Sequence, residues 1–90
     1  MLPSIAILET LLKADPESLN KYELQKKAKV ARQSVYDWVP ILEKRAWIKL
    51  EKRRKSRGRI VRYYKLTDTG LWHAAANNPD LTEKVRRRLG

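Results

Sequence analysis

The stretch "NKYELQKKAKVARQSVYDWVPILEKR", residues 20–45, contains two helical patterns with a short interruption between them. Asn20 stands three residues before Glu23, the reciprocal pairing of a capping box that opens a helix, with Leu24 and Ala28 on the inner side. "KVARQ" breaks that pattern. From about Arg32 to Arg45 a second pattern runs, with Val35, Val39 and Leu42 at i, i+4 and i+7 and Trp38 alongside. Two short helices joined by a tight turn, the second carrying polar residues in its leading turn, make a helix-turn-helix.

Upstream, "SIAILETLLKA" places Ile5, Leu8 and Leu12 on one helical stripe, opened by Pro3 and ended by Asp15-Pro16. Downstream, "WIKLEKRR" and "RIVRYYKLT" alternate in character on either side of "KSRG". Ile48 and Leu50 share one face of the first run; Ile60, Tyr64 and Leu66 share one face of the second. Gly58 supplies the permissive backbone of the turn, so the two runs read as a β-hairpin. Thr67 caps a further helix, "DTGLWHAAA", which Asn77-Asn78-Pro79 stops. Asp80 and Glu83 then cap a last short helix, with Leu81, Val85 and Leu89 on one side.

Ninety residues, 42% hydrophobic with three Trp and four Tyr, suit one globular domain with a modest core. With no cysteine, the chain offers no disulfide, no thiolate zinc site and no cysteine nucleophile. No basic n-region precedes an apolar segment, and no apolar run approaches a membrane span, so a cytoplasmic, nucleoid-associated protein with no membrane partner is expected. The formal charge of +11 is concentrated in residues 21–65, where sixteen Lys or Arg face four acids. Solubility does not require one sign in one place. A patch of that density is a footprint for phosphate.

Catalysis finds little support. His73 is the single histidine and lies beside Trp72 and three alanines. There is no Gly-rich phosphate loop, no His/Glu metal cluster and no pair of carboxylates in a cleft-like context. We therefore expect no enzyme, no metal and no cofactor.

The order of helix, helix-turn-helix, basic hairpin and helix resembles the winged helix-turn-helix. "YELQKKAKVARQSVYDWVPILEKRAWI" is similar to that family's helix-turn-helix pattern, and "YYKLTDTG" resembles the segment that closes the wing and opens the next helix in PadR-like and MarR-like regulators. The resemblance spans roughly residues 19–72. It implies an α+β domain over residues 1–90: a three-helix core, a helix-turn-helix at about 20–45, a wing at about 47–66 and C-terminal helices at about 68–89. It also implies a third helix that enters the major groove and a wing that touches backbone or minor groove. Three positions depart from the family pattern. Ala31 replaces a Ser or Thr cap on the recognition helix, Ala46 replaces the Gly that ends it, and Pro40 lies inside it, removing a donor and kinking it.

Within this frame, Arg32, Gln33, Ser34, Tyr36 and Asp37 lie off the Val35–Val39–Leu42 stripe as candidate DNA contacts, Arg suiting guanine and Gln adenine. Lys21, Lys26, Lys27 and Lys29 are candidate phosphate contacts. Arg53, Arg54, Lys55, Ser56, Arg57 and Arg59 cluster about Gly58, where an Arg at a hairpin tip can probe a narrow minor groove. Tyr63, opposite Tyr64, is a further candidate contact. Ile7 and Leu11 form a second apolar stripe on the first helix, which a domain of this size is expected not to bury. With Leu71, Trp72, Leu81, Val85 and Leu89 they form the expected homodimer interface. The expected function is sequence-specific binding of double-stranded DNA by a small dimeric transcriptional regulator, its effector unknown. The alternatives are a DNA scaffold in partition, replication or chromatin with less sequence choice and, more weakly, a winged helix used for protein contact.

Overall fold

The computed structural model describes residues 2–90. Helix α1 (Pro3–Ala14) opens with proline in its first turn, where the missing N–H costs nothing, and stops before Asp15. A two-residue strand β1 (Leu19–Asn20) leads into α2 (Lys21–Ala28). The capping box forms: Glu23 N–H donates to Asn20 Oδ1 at 2.8 Å and Asn20 N–H to Glu23 Oε1 at 3.1 Å. Lys29 ends α2 in the left-handed region. Helix α3 (Arg32–Lys44) runs unbroken through Pro40, and its N-cap Ala31 makes no side-chain cap.

Strands β2 (Ile48–Ser56) and β3 (Arg59–Leu66) form the hairpin, followed by α4 (Asp68–Ala76), a 3-10 turn (Pro79–Leu81) and α5 (Thr82–Leu89). The sheet is antiparallel in the order β1-β3-β2, with Leu19 opposite Tyr64 and Ile48 opposite Leu66. Strand β1 was not expected; two residues carry no alternation to read. The strands also run further into "KSRG" than their pattern suggested, leaving a turn of only Arg57 and Gly58.

The core joins α1, α2, α3, the root of the sheet, α4 and α5. Ile7, Leu12, Leu24, Val35, Val39, Leu42 and Val85 each have zero exposed fraction. Full burial of such a side chain contributes about 1.5–3 kcal/mol. The expectation that the domain leaves the second stripe of α1 open fails. Ile7, Leu11, Leu71 and Val85 are buried within the single chain, because α4 and α5 fold back over α1. Of the seven expected interface residues, Trp72 is exposed, and Leu81 and Leu89 are partly buried against the core.

Two more expectations change. Ile60 is exposed, although it shares a face with Tyr64 and Leu66, because the hairpin has by then left the body. Asp80 and Glu83 do not cap α5: Asp80 lies in the 3-10 turn and the N-cap is Leu81, with no side-chain bond. Instead α5 is held by its cations. Lys84 Nζ donates to the Lys13 carbonyl at 2.8 Å, and Arg88 pairs with Asp15.

Gly70 explains how α4 reaches the sheet. Thr67 Oγ1 donates to the Ala46 carbonyl at 2.6 Å and accepts from Gly70 N–H at 3.0 Å, while Thr67 N–H donates to the Trp47 carbonyl. A Cβ on Gly70 would collide with that same Trp47 carbonyl. Next to this junction His73 stacks on Trp47, with ring centroids 3.9 Å apart. Ala46, which ends the α3 turn, sits at φ 60°, a left-handed conformation unusual for alanine.

Candidate nucleic-acid interface

Burying Val35, Val39 and Leu42 turns the opposite side of α3 to solvent, and with it Arg32, Gln33, Tyr36 and Asp37; Ser34 is half-buried. Gln33 Nε2 donates to Asp37 Oδ1 at 2.8 Å, an i,i+4 bond that holds the amide along the helix. Tyr36 is flanked by two cations, Lys21 Nζ at 4.6 Å and Arg32 Cζ at 5.2 Å from the ring centroid. Contacts of this kind at exposed sites contribute about 0.5–1 kcal/mol each and hold the cations beside the ring.

Between this helix and the hairpin lies an open groove of about 450 Å3, walled by Tyr22 and Tyr36 on one side and Ile60 on the other, with Lys21, Arg59 and Arg62 along it. Three of the chain's exposed large hydrophobic residues, Tyr22, Tyr36 and Ile60, meet here. The groove combines apolar walls with cations, the pairing that a sugar–phosphate strand presents in reverse.

The hairpin's two faces follow from its register. At the root, Leu50 pairs with Tyr64 and faces the core. The register then shifts: Glu51 is the extra residue, and Lys52 pairs with Tyr63. Such a bulge re-aims the side chains beyond it. Arg53 and Lys55 now lie opposite Arg62 and Ile60, on the face that continues from Tyr64 toward the groove. Lys52 and Arg54 turn to the other face, with Lys52 Nζ 5.1 Å and Arg54 Cζ 5.8 Å from the Tyr63 ring. At the tip, Arg57 and Gly58 have φ of 50° and 78°. Two consecutive positive φ values mark an I′-type turn, which favours Asn, Asp or Gly, so arginine there is held at a cost.

The structure therefore brings most of the candidate contacts to one side. Lys21 joins the groove directly, and Lys26 reaches the Tyr22 ring at 5.4 Å. Lys29 is exposed at the α2 C-cap. Lys27 stands apart: it lines a separate cavity of about 320 Å3 with Glu9 and Lys13 of α1. Arg54, Ser56 and Tyr63 lie on the far face of the hairpin, and Arg59, opposite Ser56 at the tip, also borders the groove. Tyr22, Ile60 and Arg62 are not among the contacts expected from the sequence. For Arg62 the signal was available, since it stands two residues from Tyr64 and so shares its strand face.

The cations of this side make no salt bridge among the described residues. Among the described residues the salt bridges are Glu9–Lys13, Glu83–Arg87 and Asp15–Arg88, all outside the helix-turn-helix and the hairpin. Arg53 directly opposes Arg62, and Lys49 opposes Lys65, arrangements that destabilise a sheet by like-charge repulsion. No group of His, Cys, Asp and Glu among the described residues could hold a metal ion, and no described helix is long and apolar enough to cross a membrane.

No protein-family model matches the chain, and no curated protein sequence matches it. Solved structures do. A PadR family transcription regulator from Clostridium difficile R20291 aligns with a TM-score of 0.70 at 19% identity, over 98% of each chain. SSV1 F-93 aligns with a TM-score of 0.64 at 21% identity, over 100% of this chain and 94% of that one. A MarR family regulator from Neisseria meningitidis aligns with a TM-score of 0.68 at 23% identity, over 99% of this chain but 62% of its own length. At these identities the shared property is architecture, and the chain has the α+β winged helix-turn-helix fold.

Proposed function

We propose that this chain is a DNA-binding transcriptional regulator that reads double-stranded DNA with α3 and holds it with the hairpin. The observation that carries this reading is the groove between α3 and β3, where exposed Tyr22 and Tyr36 meet Lys21 and Arg62. In this arrangement Arg32 and Gln33 reach base edges in the major groove, Lys21 and Arg62 hold the intervening backbone, and Arg57 enters the adjacent minor groove. For Gln33 to read a base it must release Asp37, or present its carbonyl oxygen while its amide stays bonded. That makes Asp37 a tuner of Gln33 and an obstacle to nearby phosphate.

A homodimer on an inverted repeat is part of the proposal. Its contact surface centres on Trp72, because the other strong candidates lie in the chain's own core. The likeness in fold to MarR and PadR family regulators supports this reading. The experiment is selection of bound fragments from random DNA, followed by a salt titration of the best one. A shared inverted repeat and a log–log salt slope of about −5, from roughly six phosphate contacts, are expected. A slope near zero would end the nucleic-acid reading, and a pool with no shared sequence would end the claim of specificity.

A further inference from the structure

The hairpin has a second basic face, turned away from the recognition helix, and the bulge at Glu51 decides which cations stand on it. Lys49 and Lys65 lie opposite each other at the root, on the side of the sheet away from buried Leu66 and Tyr64. Lys52 and Arg54 continue the same face outward, gathered around Tyr63. In an unshifted register Lys52 and Arg54 would face the groove, and Glu51, Arg53 and Lys55 would turn outward. The bulge exchanges the two sets and takes Glu51 out of the pairing, so that cations run along both faces of one ribbon with no acid paired among them. At about 3.4 Å per residue, Lys49 to Arg54 spans about 17 Å, enough to follow several phosphates of a duplex strand. The one acid in the strand pair, Glu51, makes no salt bridge among the described residues.

We infer that this outer face binds a second DNA duplex, so that one chain bridges two DNA segments. The inference rests on the reading that α3 and the groove hold the first duplex. That duplex lies against the face formed by Arg53, Lys55 and Arg62, and the pleat aims Lys49, Lys52 and Lys65 the opposite way. One duplex cannot meet both faces along the root of the hairpin, because the sheet and the helices packed on it stand between. The lysines on the outer face are repulsive to one another and are relieved by a polyanion.

The test uses a bead-anchored mixed-sequence duplex and a free, dye-labelled duplex at low salt. Wild-type protein is expected to hold the free duplex on the beads. The variant Lys49→Gln/Lys52→Gln/Lys65→Gln, its fold checked by thermal unfolding, is expected to lose that capture by about tenfold or more while binding a single duplex within about threefold of wild type. The variant Arg53→Gln/Lys55→Gln/Arg62→Gln is expected to lose both. Bridging is refuted if wild type binds the anchored duplex but captures nothing. It is refuted equally if the lysine variant still captures, which would mean that two recognition helices of a dimer do the bridging. A fall in single-duplex binding as large as that of the arginine variant would place both faces on one duplex and also refute it. Only failure of wild type to bind the anchored duplex at all would overturn the DNA-binding reading itself.

Discussion

Arg88 Nε lies 2.7 Å from Asp15 Oδ2, joining α5 to the end of α1 across 73 residues of sequence. The Asp15 side chain is 2% exposed while that of Arg88 is 43% exposed, and Asp15 Oδ1 has no partner. The pair is thus a buried carboxylate answered by a half-exposed guanidinium. Removing the cation strands the carboxylate, which costs more than removing the pair. We expect Arg88→Ala to lose about 2 kcal/mol in denaturant unfolding, and Asp15→Asn combined with Arg88→Ala to recover part of it. If the double variant is less stable than Arg88→Ala, the carboxylate is not the source of the loss.

Gly70 makes a sharper prediction. Its missing Cβ lets α4 begin against the Trp47 carbonyl, which Thr67 N–H already occupies. Backbone cannot yield there without moving the start of the wing or of α4. Gly70→Ala is expected to cost about 3 kcal/mol or more, far beyond the effect of the same change at an open helical site. A thermal midpoint close to wild type would mean that α4 shifts freely.

These two sites show where the sequence could and could not be read. The Asn20–Glu23 box, the Thr67 cap and the α3 stripe are local: each is set by residues within a turn or two, and each forms as the spacing predicts. The glycine of "YYKLTDTG" was recognised as pattern, but its reason, a carbonyl from across the fold, is tertiary. The Asp15–Arg88 pair and the burial of Ile7 and Leu11 depend on α5 returning to α1, which no local period encodes. The candidate contacts on α3 followed from its stripe. Sorting the hairpin cations onto two faces did not, because one bulged residue at Glu51 inverts the alternation and nothing in "KLEKRR" marks it.

Glu9 carries a pH dependence. The hydrogen bond from Lys13 holds its carboxyl below the ordinary carboxylate value, against a desolvation that pushes the other way. A depressed folded value means that the ionised form stabilises the fold. That contribution is complete above the ordinary value and is lost as pH falls through the depressed one. The thermal midpoint of Glu9→Gln should therefore fall below wild type at neutral pH and approach it in acid. A gap that does not narrow would assign the difference to packing.

Trp72 is 49% exposed on α4, beside a core that has already absorbed Leu71. If the chain dimerises through its C-terminal helices, this indole is the main apolar group left to bury. Sedimentation at micromolar concentration should report a dimer for wild type and a shift toward monomer for Trp72→Ala, with unfolding little changed. A wild-type monomer under those conditions rules out the homodimer.

At the hairpin tip, stability and binding should move in opposite directions. Arg57 sits at φ 50° in a turn that glycine would occupy without strain. Replacing it with glycine relieves about 1 kcal/mol of backbone cost, so Arg57→Gly should unfold no earlier than wild type and slightly later if the strain is fully released. The same change removes the cation proposed to enter the minor groove, so affinity should fall on every sequence, most on A·T-rich flanks. Arg32→Ala or Gln33→Ala should act differently, costing about 1–3 kcal/mol on a selected site and little on a scrambled one. Measuring all three on both duplexes separates charge at the tip from reading by α3. If Arg57→Gly bound both duplexes as wild type does, the arginine would be a strained residue with no role in holding DNA, and the hairpin tip would drop out of the interface.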